Sequence, residues 1–155
     1  MELDHLPAND EMGASRPLAV WLYVLGAVAL GLSALYGGAA LMLHRDDDPL
    51  GLPLEWLDDT PFDDYLVPGA TLFGVFGVGS FAVVLGVLRR RPWARVAAIG
   101  LGGAQVAWIL VQVALLRMVG ALHVVYGGLG AVLVALATRP STRRYFRGEV
   151  EADGS

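Results

Sequence analysis

Long uncharged apolar runs alternate with short charged segments along this chain. From Pro17 to Leu43, 27 residues pass without a formal charge. At 1.5 Å per residue a helix of that length reaches about 40 Å, more than the roughly 30 Å hydrocarbon core of a bilayer. A second uncharged run extends from Leu66 to Leu88, and a third from Val96 to Leu116 with Trp93 at its entrance. Arg117 is the single charge in the 43 residues from Val96 to Thr138. That stretch is twice a span, so the chain must turn back near Arg117 to Gly120 and return as a fourth helix. The pattern predicts an all-α fold: an integral membrane four-helix bundle with spans over 17–43, 66–88, 93–116 and 119–138. An acidic loop over 44–65 and tails over 1–16 and 139–155 complete the organisation, the first tail being acidic, aperiodic and expected to be disordered. A cleaved signal peptide competes for the first run, but the segment before it is acidic and the run is about twice the length of a signal h-region.

Charge placement orients these spans. The connection between the second and third carries Arg89, Arg90, Arg91 and Arg95, and the C-terminal segment carries Arg139, Arg143, Arg144 and Arg147. Arginine-rich short loops stay in the cytoplasm, so both termini are expected there. The 44–65 loop sets Arg45 against Asp46, Asp47, Asp48, Glu55, Asp58, Asp59, Asp63 and Asp64, which suits the outside. Trp21, Tyr23 and Trp93 then fall at the inner interface, where aromatic belts form.

Lipid tails are as apolar as leucine, so helices in a bilayer associate by close packing of small residues. Ala29, Ser33 and Gly37 mark such a stripe on the first span, Ala94, Ala98 and Gly102 on the third, and Gly127, Ala131 and Ala135 on the fourth. In the acidic loop, Thr60-Pro61-Phe62-Asp63 offers an N-cap hydroxyl, proline at the first helical position and a carboxylate in the first turn. It predicts a short extracytoplasmic helix running through Tyr65 towards Pro68-Gly69, so that the loop is an ordered lid.

Composition narrows the chemistry. The chain is 55% hydrophobic and 17% charged, against roughly a quarter charged in a soluble domain. It has no cysteine, which removes disulfide scaffolds, thiolate metal sites and thiol redox chemistry. Phosphate loops, nucleophile elbows and paired-carboxylate hydrolase patterns are not found, and nothing points to nucleic acid.

The run Thr60-Pro61-Phe62-Asp63-Asp64-Tyr65-Leu66-Val67-Pro68-Gly69, the Arg89-Arg90-Arg91-Pro92-Trp93 turn and Trp108-Ile109-Leu110-Val111-Gln112 resemble a family of small uncharacterised prokaryotic four-transmembrane-helix proteins. The resemblance covers about residues 18 to 146 and implies the same topology without an activity. It also implies an acidic residue in the third span where this chain has Gln112, which weakens a proton-relay role.

Polar residues inside a membrane are the best pointers to function. Gln105, Trp108 and Gln112 recur at i, i+3 and i+7 and share a face of the third span. His123 and Tyr126 fall at similar depth on the fourth, with Ser33 and Tyr36 on the first and Thr71 on the second. A ligand pocket in the outer half, formed by Tyr36, Gln112, Arg117, His123 and Tyr126 and roofed by the loop, is the sharpest site expectation. The structural alternative is that these groups hydrogen-bond one another and fasten the bundle, and Arg117 has the further option of pairing with Asp63 or Asp64. Arg89, Arg90, Arg91 and Arg95 form a candidate contact for anionic lipid head groups, the plain alternative being topology alone. No metal or cofactor is expected: His123 lacks a second ligand at helical spacing, a b-type haem would have only His44 beside it, and Asp46-Asp47-Asp48 lacks the calcium-loop pattern.

The leading functional expectation is a non-enzymatic structural or accessory subunit, partnering the lipid bilayer and either itself or other membrane proteins. The alternative is a carrier or binder of a small or lipidic molecule in the outer pocket. A redox or enzymatic subunit comes third, with only His123, Arg117 and the loop carboxylates to serve it.

Overall fold

A computed structural model describes residues 16–44, 53–58, 60–117 and 119–147. The remaining stretches, including 1–15, Asp46-Asp47-Asp48 and 148–155, lie outside the described residues, and with them the expected disorder of the N-terminal tail. Among the described residues, four helices are long and apolar enough to cross a membrane: α1 (Leu18–Leu43), α2 (Leu66–Leu88), α3 (Ala94–Leu116) and α4 (Ala121–Thr138). A fifth, α5 (Pro140–Arg147), follows at once. Each long helix packs on its sequence neighbour, and α1 closes the ring against α4. One end of the bundle carries the Arg89–Arg91 turn and α5, and we call it the arginine end. The other carries the acidic loop and the Arg117 turn, and we call it the loop end.

The apolar runs form helices because a helix satisfies their backbone groups internally, and hydroxyls such as Ser33 and Thr71 bond back within the same helix. Their ends are set by chemistry that stops a helix. Arg117, at the C-cap of α3, takes a left-handed conformation with φ of 52°. Gly120 is extended, and α4 starts after it. His123 closes that start, its Nδ1 accepting the Gly120 N–H at 3.1 Å, which satisfies one of the free donors of a helix N-terminus.

Backbone contact between α1 and α2 is as close as a bundle allows. A Cβ on Gly38 would lie 2.6 Å from the Phe73 nitrogen and 2.7 Å from the Gly69 carbonyl oxygen. The α1 contact therefore runs along Gly31, Ala34 and Gly38, all buried, rather than along Ala29, Ser33 and Gly37. Ala29 faces outward and Gly37 meets only the end of the Leu72 side chain. Ala94, Ala98 and Gly102 do form the buried stripe of α3, whereas Ala131 and Ala135 of α4 are exposed.

The arginine end is tied by polar links to carbonyls. The Tyr23 hydroxyl donates to Ala98 O at 3.2 Å and the Tyr145 hydroxyl to Val87 O at 3.2 Å. Thr142 Oγ1 donates to Leu136 O at 2.7 Å, fixing α5 under α4. The Arg90 guanidinium sits 4.5 Å from the Tyr145 ring centre. α5 is thus a short amphipathic helix with Thr142 and Tyr145 buried and its arginines outward.

At the loop end two details differ from the expectation. The short loop helix is a 3-10 turn at Leu54–Leu57, not a helix begun at Thr60. Thr60 Oγ1 donates back to Leu57 O at 2.9 Å and accepts the Phe62 N–H at 3.3 Å. Its hydroxyl therefore closes a local turn, a role that competes with helix capping in Ser and Thr. Asp64 Oδ1 instead accepts the Leu66 N–H at 2.9 Å, where α2 begins. Within α2 the stretch Leu72–Val78 is π-helical, a form that is rare and concentrated at functional sites.

Candidate functional site: a cavity at the loop end

The loop half of α2 and the loop half of α3 diverge, and two adjoining cavities of about 170 Å³ and 260 Å³ fill the space between α1, α2, α3 and α4. The first lies under the acidic loop, with Leu57, Thr60, Phe62 and Tyr65 as its roof. The roof is fastened: the Tyr65 hydroxyl donates to Pro53 O at 2.9 Å, and Leu57 and Tyr65 bury themselves against Leu41. The second reaches down between α1, α3 and α4 to Leu30 and Gln105. Leu41, Leu72, Trp108, Gln112 and Leu116 border both. Phe76 meets Trp108 with ring centres 6.0 Å apart, bridging α2 and α3 across their splay. The π-helical turn carries both Leu72 and Phe76.

The walls are mostly hydrocarbon, and among the described residues no Asp, Glu, Lys or Arg lines either cavity. Polar groups are spaced along the depth of the second. Gln105 stands midway along α3, about 16 Å from either end by helical rise, and Gln112 is about 10 Å nearer the loop. His123 and Tyr126, in the first two turns of α4, complete the upper wall. Because His123 Nδ1 already accepts the Gly120 N–H, the neutral ring carries its proton on Nε2, a donor.

Gln105 is the unusual member. It is 2% exposed, its side chain runs over Gly130 of α4, and its Oε1 has no hydrogen-bond partner. A buried amide oxygen left unpaired costs about 1–3 kcal/mol by protein mutational data. Gln105, Gln112, His123 and Tyr126 make no hydrogen bond to one another among the described residues, so the polar cluster does not fasten these helices together. The Ser33 hydroxyl is satisfied within α1, donating to Ala29 O at 2.7 Å.

Of the five residues nominated for the pocket, Gln112, His123 and Tyr126 line it. Tyr36 and Arg117 do not: Tyr36 is 73% exposed on the outside of α1, and Arg117 points outward from its left-handed turn without an ion pair to Asp63 or Asp64. Rotation of α1 to seat Gly31, Ala34 and Gly38 against α2 is what turns Tyr36 away. Thr71 is also no part of the lining; its hydroxyl donates to Val67 O at 2.9 Å. Leu30, Ala34, Leu41 and Leu72 complete the walls with no signal that would distinguish them from core in the sequence.

At the other end, Arg89, Arg90 and Arg91 are exposed, with Arg90 engaged by Tyr145, while Arg95 is partly buried with its Nε unpaired. Among the described residues no three His, Cys, Asp or Glu gather as a metal site. Comparison with protein-family models, curated proteins and solved structures found no match to this chain.

Proposed function

We propose that this protein is a multi-pass membrane protein, with its arginine end and both termini in the cytoplasm, that binds a lipidic molecule in the loop-end cavity without transforming it. The observation that carries the reading is Gln105: a buried side chain whose amide oxygen has no partner, in the wall of a cavity built mostly from hydrocarbon. A residue serving only to fasten helices is expected to be satisfied, since buried polar groups are hydrogen-bonded as a rule. The arginine placement supports the orientation, and the exposed Arg89 and Arg91 support contact with anionic head groups on that side.

Native mass spectrometry of the full chain, mildly solubilised from its host membrane, tests the binding reading. A discrete retained mass is expected on the wild type, absent from Gln105→Leu. Removing the unpaired amide leaves the Gln105→Leu melting temperature equal or higher, and a bare wild-type chain together with a destabilised variant would make Gln105 structural.

A second reading, an accessory subunit that associates with itself or another membrane protein, is favoured by the outer face of α3. Gly100 and Gly103 are exposed there, and a Cβ on either would meet nothing within 4 Å. Flat small-residue faces of this kind let helices approach closely in lipid.

A further inference from the structure

We infer that the loop-end cavity takes an uncharged lipid alcohol, its hydroxyl donating to the amide oxygen of Gln105 and its chain lying against the hydrocarbon wall. This rests on the binding reading above and specifies its ligand. The first support is the group left without a partner. Gln105 Oε1 is an acceptor, buried and unpaired, so the guest that relieves it must bring a proton. Cβ and Cγ of Gln105 lie over Gly130 of α4, which pins the stem of the side chain. The amide head beyond the stem turns about a broad, nearly two-fold torsion, and Oε1 has no hydrogen bond to give up in turning. A hydroxyl both donates and accepts, so it also suits the amide after a half-turn that exchanges oxygen and nitrogen. An ether, ester or ketone has no proton to give and leaves the oxygen as it is.

The surroundings set aside the other donors. Among the described residues no ionised side chain lines the cavity, so an ammonium entering it would lose its hydration with no counter-ion, which is strongly unfavourable. Water is a donor too, but a buried water needs about two to four polar partners. Gln105 shares the floor of the cavity with Leu30. On α3 and α4 the other polar residues of the lining begin about one turn nearer the loop, with Trp108 and Tyr126. The Ser33 hydroxyl is donated within α1. A hydroxyl carried on a hydrocarbon chain needs only the one acceptor for its proton, and burial of the chain holds it in place.

Access and depth are the third support. Val111 borders the first cavity and Leu122 the second, and both are exposed. Both cavities thus reach the outer surface of the bundle, the side from which a lipid arrives. Gln105 sits at the middle of α3, about 16 Å from either end, whereas a phospholipid head group belongs at the interface. A single hydroxyl on an otherwise apolar molecule can reach the middle, its chain filling the space along Leu41 and Leu72 up to the Phe62 and Tyr65 roof.

The test is a melting-temperature titration of the full-length protein, held in a hydroxyl-free amphipol, with probes on one dodecyl chain: dodecanol, its methyl ether, dodecylammonium and dodecane. Dodecanol is expected to raise the midpoint saturably, at a concentration about tenfold below that needed by the ether, the ammonium or the alkane. In Gln105→Leu the alcohol is expected to fall to the ether's level while the ether's own shift is unchanged, which shows that the variant folds and still takes a chain. The comparison of alcohol with ether on the wild type stands even where the variant does not fold. Dioctanoylglycerol and farnesol carry the same group and separate an acylglycerol source from an isoprenoid one. At least one of them is expected to match dodecanol, and failure of both overturns a membrane alcohol as the ligand. An ether as effective as the alcohol overturns the donated proton while sparing the binding reading. Preference for the ammonium overturns neutrality, and alcohol binding unchanged in Gln105→Leu overturns this residue as the partner. If no probe gives a saturable shift, the binding reading fails with the inference.

Discussion

Gly38 and Gly103 are both glycines in transmembrane-length helices, yet they do opposite things. At Gly38 a methyl group would press on the backbone of α2, with 2.6 Å to the Phe73 nitrogen, and backbone cannot move aside as a side-chain tip can. Overpacking of this kind costs about 1–3 kcal/mol, so Gly38→Ala is expected to lower the melting temperature clearly. At Gly103 a methyl group meets nothing within 4 Å, and alanine gains about 0.8–1 kcal/mol in helix propensity over glycine. Gly103→Ala is therefore expected to melt at the same temperature as the wild type or higher, unless a partner occupies that face, in which case its oligomer is lost on native gels. The twenty glycines of the sequence announce close packing without saying which of them touch. Spacing marked Ala94, Ala98 and Gly102 well on α3 but chose Gly37 over Gly38 on α1, because a one-residue difference is a rotation of about 100° that only the neighbouring helix decides. Gln105 was legible as polar and on the face of Trp108 and Gln112, while its lack of a partner follows from what α1 and α4 place opposite it.

At the scale of elements, the apolar runs were plain and their ends were marked by arginine, glycine and proline. The π-helical turn Leu72–Val78 left no such mark. Its glycines at 74 and 77 read as packing residues, and the choice between i→i−4 and i→i−5 bonding depends on how α2 meets α1 and Trp108 together. α5 falls within the C-terminal tail of the sequence, although Pro140 at its first position and Thr142, Tyr145 and Phe146 on its inner side make the amphipathic pattern of a helix lying under the bundle. Tyr145 is its anchor, combining a buried ring, the hydrogen bond to Val87 O and the Arg90 contact. Replacing a buried aromatic by alanine costs about 3–5 kcal/mol, more than a surface helix of two turns can lose and remain docked. Tyr145→Ala is expected to leave the four long helices in place and to expose the chain at Arg143 and Arg144. Limited trypsin digestion of inside-out vesicles should cut there many times faster than in wild type, and equal cutting rates would show α5 undocked already. Tyr145→Phe, which keeps the ring and its Arg90 contact and loses one hydrogen bond worth about 1 kcal/mol, is expected to digest nearly as slowly as wild type.

For the whole molecule, tight closure at the arginine end and splay at the loop end have one origin. Small residues on α3, with Gly86 of α2 and Gly130 of α4, let those backbones approach below Trp108, whereas Leu72, Phe76 and Trp108 stand between α2 and α3 above it, where α1 and α2 stay close through Gly38 and Gly69. The cavity is a property of four helices at once and belongs to no single run of the sequence, so Gln112, His123 and Tyr126 could be nominated while Tyr36 and Arg117 were nominated alongside them. Orientation is proposed on a different basis, the counts of arginine in short loops, which are read from the chain directly. On the proposed reading, four crossings would put the acidic loop and the Arg89–Arg95 connection on opposite sides, with the arginine-rich connection in the cytoplasm. The absence of native cysteine makes this directly measurable. Asp58 is exposed beside the 3-10 turn, and Ser141 lies in the first turn of α5. In intact cells an impermeant thiol reagent should label Asp58→Cys, and it should label Ser141→Cys only after the membrane is opened. The mirror-image pattern would keep the bundle and its cavity and turn both over, placing the Gln112 end in the cytoplasmic leaflet. Labelling of both sites in intact cells would mean that the four helices do not cross as a set, and the cavity's place in a leaflet would then have to be argued afresh from the first span onward.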